Sequence, residues 1–334
     1  MAAEYRGDSA GANAADRRLF FAAAAAHGGA RLASKVASAP LERVKVCLQV
    51  DAAAGRGGRS GAGRSFALFC DIVAAQGVRG LWRGSATHLC GVCLGGVMRL
   101  SLLRTSQMWA MPGGDRQYHG LQSYVRRCAI FYTAGAAALA VAYPLDTAYT
   151  CLAADAAVPR RFRGCVQFMR TAARRHGVLS LYRGFPLCLG TAVPFVAIAT
   201  AVHDALAPHV LERRGLAPRA DVNAAKPGDL FWLVREGAPT HLYPWNLLLG
   251  GLSGFVAQAA TYPLDTLRRR RQHTAAAADA PPLGPLRECA ARLHREGGAR
   301  AFYAGFGANA AKLVPELVVL SGAYLLINAS GHFV

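Results

Sequence analysis

Three carboxylates stand in the same local frame, each two residues after a proline. They are Glu42 in Pro40-Leu41-Glu42-Arg43-Val44-Lys45, Asp146 in Pro144-Leu145-Asp146-Thr147-Ala148-Tyr149, and Asp265 in Pro263-Leu264-Asp265-Thr266-Leu267-Arg268. A cation follows three residues later in two copies, Lys45 and Arg268, and Tyr149 takes its place in the other. Such acids and bases can pair along one helix at i,i+3 or between neighbouring helices in a ring. A proline removes a backbone donor and kinks its helix, so three kinked helices can converge and close a funnel. Repetition in apolar helices favours the ring. A second set of cations, Lys35, Arg99, Lys312 and the run Arg268 to Arg271, also lies within apolar stretches. Charge is expensive in hydrocarbon, so these side chains are expected to face a watery cavity, pair with acids or hold an anion.

The elements that position these groups are repeated too. A glycine-marked signature follows each proline: Gly77 to Gly84 around Leu81-Trp82-Arg83, Gly177 to Gly184 around Leu181-Tyr182-Arg183, and Gly298 to Gly305 around Phe302-Tyr303-Ala304. Proline and final glycine are 44, 40 and 42 residues apart, and successive prolines 104 and 119 apart. A triplication of this kind governs the fold. With 53% hydrophobic and 17% charged residues, the chain is too apolar for an ordinary soluble protein. A helix crosses the hydrocarbon with about 20 apolar residues. Six spans are read near 18–46, 85–110, 126–152, 186–207, 246–270 and 305–328. The buried helices of a soluble repeat would carry polar stripes, which these lack. The expectation is an all-α membrane protein of three two-helix repeats, 18–110, 126–207 and 246–328. A polar segment, 1–17, precedes them, and a connection, 208–245, joins the second and third. Residues 53–64 read as a Gly/Ala/Arg-rich loop.

The net charge of +19 calls for an anionic partner. Nucleic acid is not expected, because the basic residues neither cluster with aromatic platforms nor line a polar groove-reading helix. Arg126-Arg127, Arg160-Arg161, Arg174-Arg175 and Arg213-Arg214 read instead as loop cations meeting lipid head groups. Phe20 to Ala26 does not read as a cleaved leader, since Glu4, Asp8 and Asp16 precede it and the apolar stretch runs on, so any organelle address is expected to be internal. Nine scattered cysteines suit a compartment without disulfides. Cys90 and Cys93 beside His88 have too few companions for a metal, and packing is the expected role. No Ser-His-Asp, zinc-ligand or Walker pattern stands in a suitable context, so neither an enzyme nor a cofactor is expected.

The threefold Pro-x-[Asp/Glu]-x-x-[Lys/Arg] and aromatic-x-Gly pattern resembles the mitochondrial carrier family over residues 18–328. The resemblance implies six transmembrane helices around a pseudo-threefold axis, a short matrix helix in each repeat, and alternating access to a central site in the inner membrane, which is a general transporter design. A monomer is expected. Ser34 to Lys45, Thr150 to Asp155 and Asp265 to Arg270 are most similar to the ADP/ATP carriers. That branch implies ADP and ATP as substrates, Lys35 and Lys312 as phosphate-facing cations, and Arg268, Arg269 and Arg270 as the nucleotide-carrier signature. It also implies a matrix gate of Glu42, Lys45, Asp146, Tyr149, Asp265 and Arg268. Trp82, Arg83 and Gly84, with Tyr182, Arg183 and Gly184, resemble the family's cardiolipin sites, where helix N-termini offer backbone donors to phosphate.

Several positions depart from that branch. Arg271-Gln272-His273 stand where methionines are expected, Gly91 where the second helix has an arginine, and Thr191-Ala192 and Phe195-Val196 where the fourth helix has Gly-Ile and Tyr-Arg. Lysine at 312 keeps charge but not the bidentate fork of arginine. Arg99 lies eleven residues past His88, about three turns on the same face, and could supply the missing cation. Phe195 could stack on a purine or simply pack. The substrate site is therefore expected among Lys35, His88, Arg99, Thr191, Phe195 and Lys312. At the inner gate Glu42 is expected to meet Tyr149 rather than a cation. At the outer mouth Arg104, Gln107, His203-Asp204, Ala207 and Tyr324 leave little of the ionic series. Three readings stay open: ADP/ATP exchange, a carrier for another nucleotide, phosphate or a carboxylate, and a carrier-fold scaffold or leak protein that does not cycle.

Overall fold

The computed structural model describes residues 28–50, 62–110, 121–155, 161–212, 243–274 and 286–329, and among them the regular structure is helical. Helix α1 covers 28–50. It is followed by α2 (Ala62–Gln76), α3 (Ser85–Ala110), α4 (Leu121–Ala154), α5 (Cys165–His176), α6 (Phe185–Glu212), α7 (Tyr243–His273), α8 (Leu286–Phe302), α9 (Phe306–Ala311) and α10 (Leu313–Ala329). The segment 1–17 lies outside the described residues, as does most of the 208–245 connection. Helix takes up both ends of that connection, through Glu212 and from Tyr243, and α2 begins inside the stretch read as a 53–64 loop.

Two compact units divide the described residues. One takes in those up to Ser38, from Phe195 to Gln258 and from Lys312 onward; the other takes in Ala39–Pro194 and Ala259–Ala311. The second unit is built three times over. Each proline-bearing helix is tied to the short helix and tight turn that follow it. Thr147 Oγ1 donates to the Leu181 carbonyl at 2.7 Å and Thr266 Oγ1 to that of Phe302 at 2.8 Å. The tyrosines preceding two of the prolines add a second tie, Tyr143 Oη to Arg183 O at 3.1 Å and Tyr262 Oη to Ala304 O at 2.9 Å. Their rings stack on Tyr182 and Tyr303, with Phe185 and Phe306 edge-on. In the first copy Arg43 replaces the threonine and reaches the Gly80 carbonyl.

The glycine signatures have a conformational cause. Gly77, Gly84, Gly177, Gly184, Gly298 and Gly305 all lie at positive φ, between 61° and 87°, where a β-carbon is penalised. The later glycine of each pair also permits a close approach to the next copy. A β-carbon on Gly84 would stand 3.2 Å from the Tyr149 ring, on Gly184 3.2 Å from Arg268 O, and on Gly305 2.9 Å from Lys45 O. Each of these neighbours is the residue five after a proline, so the contacts run from copy one to two, two to three and three to one.

Two stretches, Tyr132–Ala154 and Val178–His203, are long and apolar enough to cross a membrane, the second with few of its residues fully buried. The other expected spans fail that test for local reasons. Helices α1, α3 and α7 carry the site cations, and the last span, read as continuous over 305–328, is broken at Lys312. Pro315 explains the break, because it cannot donate to the Ala311 carbonyl and its ring crowds that turn. Leu248, Leu252 and Val256 on α7 and Val314, Val318 and Leu325 on α10 nevertheless present exposed apolar stripes at helical spacing, a surface suited to hydrocarbon rather than water.

Gly305→Ala is expected to lower the thermal unfolding midpoint of the detergent-purified protein by several degrees, because φ strain of roughly 1–3 kcal/mol adds to a clash with a backbone oxygen. Gly307→Ala, where a β-carbon meets nothing within 4 Å, is expected to leave it unchanged; equal midpoints for the two variants would contradict the account.

Candidate functional site

The proline-motif charges meet in the second unit. Lys45 Nζ lies 3.3 Å from Asp265 and 3.8 Å from Glu42 on its own helix. Arg268 pairs with Asp146 and lies 3.6 Å from Asp265, while Arg269 reaches the other Asp146 oxygen at 3.1 Å. Local and cross-helix pairing therefore coexist, with Lys45 and Arg268 each shared between two acids. Two glutamines complete the carboxylates' coordination: Gln49 donates to Asp265 at 3.2 Å, and Gln272 to Asp146 at 2.8 Å. The Gln272 carbonyl in turn accepts from Thr150, whose oxygen accepts from Arg269. Both glutamines are fully buried, which makes an unmade bond costly.

Tyr149 fills the place of the missing cation in a specific way. It is buried, its ring is 4.6 Å from that of His88, and the Arg269 guanidinium sits 5.8 Å from its centroid. Glu42 lies within electrostatic range. Sequence alone made this joint the weak one, but a different residue reinforces it. Arg43, 1% exposed, donates to the backbone carbonyls of Ala153 at 3.1 Å and Asp155 at 3.3 Å, and to Gln76 at 2.9 Å. Arg83 is drawn into the same joint, to Asp155 at 2.5 Å and the Phe162 carbonyl at 2.9 Å. The other joints have single counterparts, Arg183 to Thr274 O at 3.1 Å and Arg270 to Gln49 O at 3.1 Å. Arg270 also pairs with Glu296 on α8 at 2.6 Å, and Arg292 joins that acid at 3.2 Å. Burial raises the pKa of Glu296, but its hydrogen bond and charge contact with Arg270, followed by those with Arg292, outweigh burial and hold the carboxyl below its ordinary value.

The first unit holds a smaller cluster. Lys35 Nζ donates to Glu316 at 2.8 Å, the buried Ser38 hydroxyl donates to the same oxygen at 3.0 Å, and the charge of Lys312, one turn earlier on the chain, acts on that carboxylate too. Lys35 and Lys312 are thus brought to one acid that sequence reading passed over. Phe195 is half-buried in this unit. In the second unit Thr191 donates back to the Leu187 carbonyl at 2.6 Å, Arg99 is exposed on α3, and Gly91 lies 3.5 Å, by its notional β-carbon, from Leu145 of α4. Trp82 is exposed and Tyr182 half-buried. Arg174 and Arg175 end α5, where cations suit the helix dipole. The side chains of Arg104, Gln107, Asp204, Ala207, Tyr324, Arg126 and Arg127, and all of Arg160, Arg213 and Arg214, lie outside the described residues. Among those described, Cys90 and Cys93 are free, and no three His, Cys, Asp or Glu residues gather as metal ligands would.

A family model described as Mitochondrial carrier protein matches residues 17–112, 121–214 and 240–330, one match for each copy of the motif. The chain belongs to the mitochondrial carrier family. Among curated relatives, it is 30% identical over 299 residues to the ADP,ATP carrier protein of Schizosaccharomyces pombe, covering 86% of this chain and 83% of that one. A probable ADP,ATP carrier protein of Arabidopsis thaliana is 28% identical over 280 residues, covering 81% and 78%. The mitochondrial adenyl nucleotide antiporter of Mus musculus is 27% identical over 295 residues, 88% of this chain but 56% of that protein. Members of the family are transporters, and the proline-motif charges of this carrier are read in that setting. The glutamines were missed although both stand four residues after the motif cation, Lys45 or Arg268, because only the folded helix shows that this position faces an acid.

Glu296→Gln is expected to destabilise this carrier at pH 7. A depressed carboxyl contributes stability above its unfolded pKa, about 4.3, and loses it as pH falls through the folded value. The gap between the two unfolding midpoints should therefore close as pH is lowered from 6 to below about 4; a pH-independent gap would contradict the pairing.

Proposed function

We propose that this carrier exchanges ADP for ATP across the mitochondrial inner membrane by alternating access, as a six-helix pseudo-threefold monomer. The cyclic contacts of the three glycine signatures support that layout. The observation that carries the substrate reading is the meeting of Lys35 and Lys312 at one carboxylate: residues 277 positions apart supply two cations to one place, as an anionic phosphate group requires. Relatives named as adenine nucleotide carriers are consistent with it. Phe195 is the proposed surface for the base. Lys45, Asp265, Arg268, Arg269 and Asp146, with Gln49 and Gln272, form the matrix gate, which must break for substrate to leave on that side. Arg268, Arg269 and Arg270 serve this gate and its surroundings. Cardiolipin phosphate is proposed to meet backbone donors where α3 and α6 begin, beside Trp82 and Tyr182, since Arg83 and Arg183 are turned to protein partners. His88 acts through Tyr149 rather than on substrate. A second reading, transport of another anion, is favoured by Glu316, which offsets one of the two lysines.

Uptake of labelled ADP into liposomes containing the purified protein tests this. Uptake that requires internal ADP or ATP is expected, with Lys35→Ala and Lys312→Ala each lowering it at least tenfold, roughly 1.4 kcal/mol, in protein that still unfolds cooperatively. Exchange of phosphate or dicarboxylates without ADP uptake would favour the second reading, and wild-type rates in both variants would sink the proposed site.

A further inference from the structure

We propose that Glu316 is a specificity-determining residue that sets how much negative charge this carrier accepts in a substrate. The inference rests on the reading that Lys35 and Lys312 meet the substrate. Glu316 is the only charged residue in the α10 sequence Leu313–Ala329, and an isolated carboxylate in an apolar helix is expensive. It is held by Lys35 at 2.8 Å and Ser38 at 3.0 Å, with the charge of Lys312 acting on it. Removing either partner of such a pair leaves the other charge uncompensated, so an arriving anion cannot take Lys35 without also confronting Glu316.

The charge count gives the consequence. Two lysines without the acid would present +2, whereas the three groups together present +1. A head group with one or two negative charges is nearly matched by that sum. Each further charge meets the carboxylate at short range in a setting less polar than bulk water, where repulsion grows steeply. The site therefore favours a monophosphate or another mono- or dianion relative to a triphosphate, and Glu316 is the residue that imposes the bias. Ser38 strengthens it, because a hydroxyl donating to Glu316 stabilises the ionised form.

The test compares two ligand series, AMP, ADP and ATP, and inorganic phosphate, pyrophosphate and triphosphate. Binding is measured to wild type, Glu316→Gln and Glu316→Asp at pH 7.5, fixed ionic strength and without divalent cations. Glu316→Gln is expected to raise the triphosphate-to-monophosphate affinity ratio at least tenfold, and Glu316→Asp to keep it within about threefold of wild type. Equal ratios in wild type and Glu316→Gln would overturn the proposal. Wild type alone provides a check independent of the variants' folding: its affinity should stay level or fall from mono- to triphosphate, and a tenfold rise per added phosphate would overturn the proposal. A ratio shift in the inorganic series with no adenosine series binding would sink the nucleotide reading while upholding Glu316, and binding of neither series would overturn both.

Discussion

Buried charge in apolar helices must be paired, and in this carrier the partners lie on other copies of the same repeat. Asp146 of the second copy holds Arg268 and Arg269 of the third, and Asp265 of the third holds Lys45 of the first. Removing one partner from such a buried pair costs about 3–5 kcal/mol, which discourages the copies from separating one at a time. The glycine pairs belong to the same constraint. Gly184 and Gly305 bring the turn of one copy against the backbone of the Arg268 and Lys45 that pair across the same joint, so positive φ and ionic closure occur at the same places.

The three joints are not equal, and the differences follow from single residues. Copies two and three are joined by two arginines on one aspartate and by Gln272. Copies three and one are joined by a lysine, by Gln49 and by Arg270 on a backbone carbonyl. Copies one and two have Tyr149 in place of a cation, but Arg43, Arg83 and Asp155 bind them through main-chain carbonyls and one ion pair. A joint made through backbone acceptors does not dissolve when a carboxylate finds another cation. The ring built this way has two ionic joints and one held mainly through backbone acceptors.

Much of this was legible in the sequence because it is written three times. The proline frame picked out the carboxylates and two of the cations that meet, and the repeated glycines marked the segments that turn. Features whose meaning depends on contacts were not legible. Gln49 and Gln272 are ordinary polar residues until helix geometry sets them against Asp265 and Asp146. Arg269, placed in a signature by resemblance, proved to share Asp146. Tyr149 was read through the cation it lacks, whereas its ring packs on His88 and under Arg269. The last span was read as continuous because hydropathy does not register the backbone donor lost at Pro315. Glu316 was passed over because one acid in an apolar helix has no spacing to announce it, and its meaning comes from Lys35, 281 residues away.

The most direct test of the central claim is a double-mutant cycle on Lys45 and Asp265, using Lys45→Met, Asp265→Asn and the double variant, with thermal unfolding as the readout. If a cross-copy ion pair closes the carrier, the two single losses will exceed the double loss by a coupling of at least about 1 kcal/mol. Strictly additive losses would mean that the two charges are held independently, and that the joint between the third and first copies is not ionic.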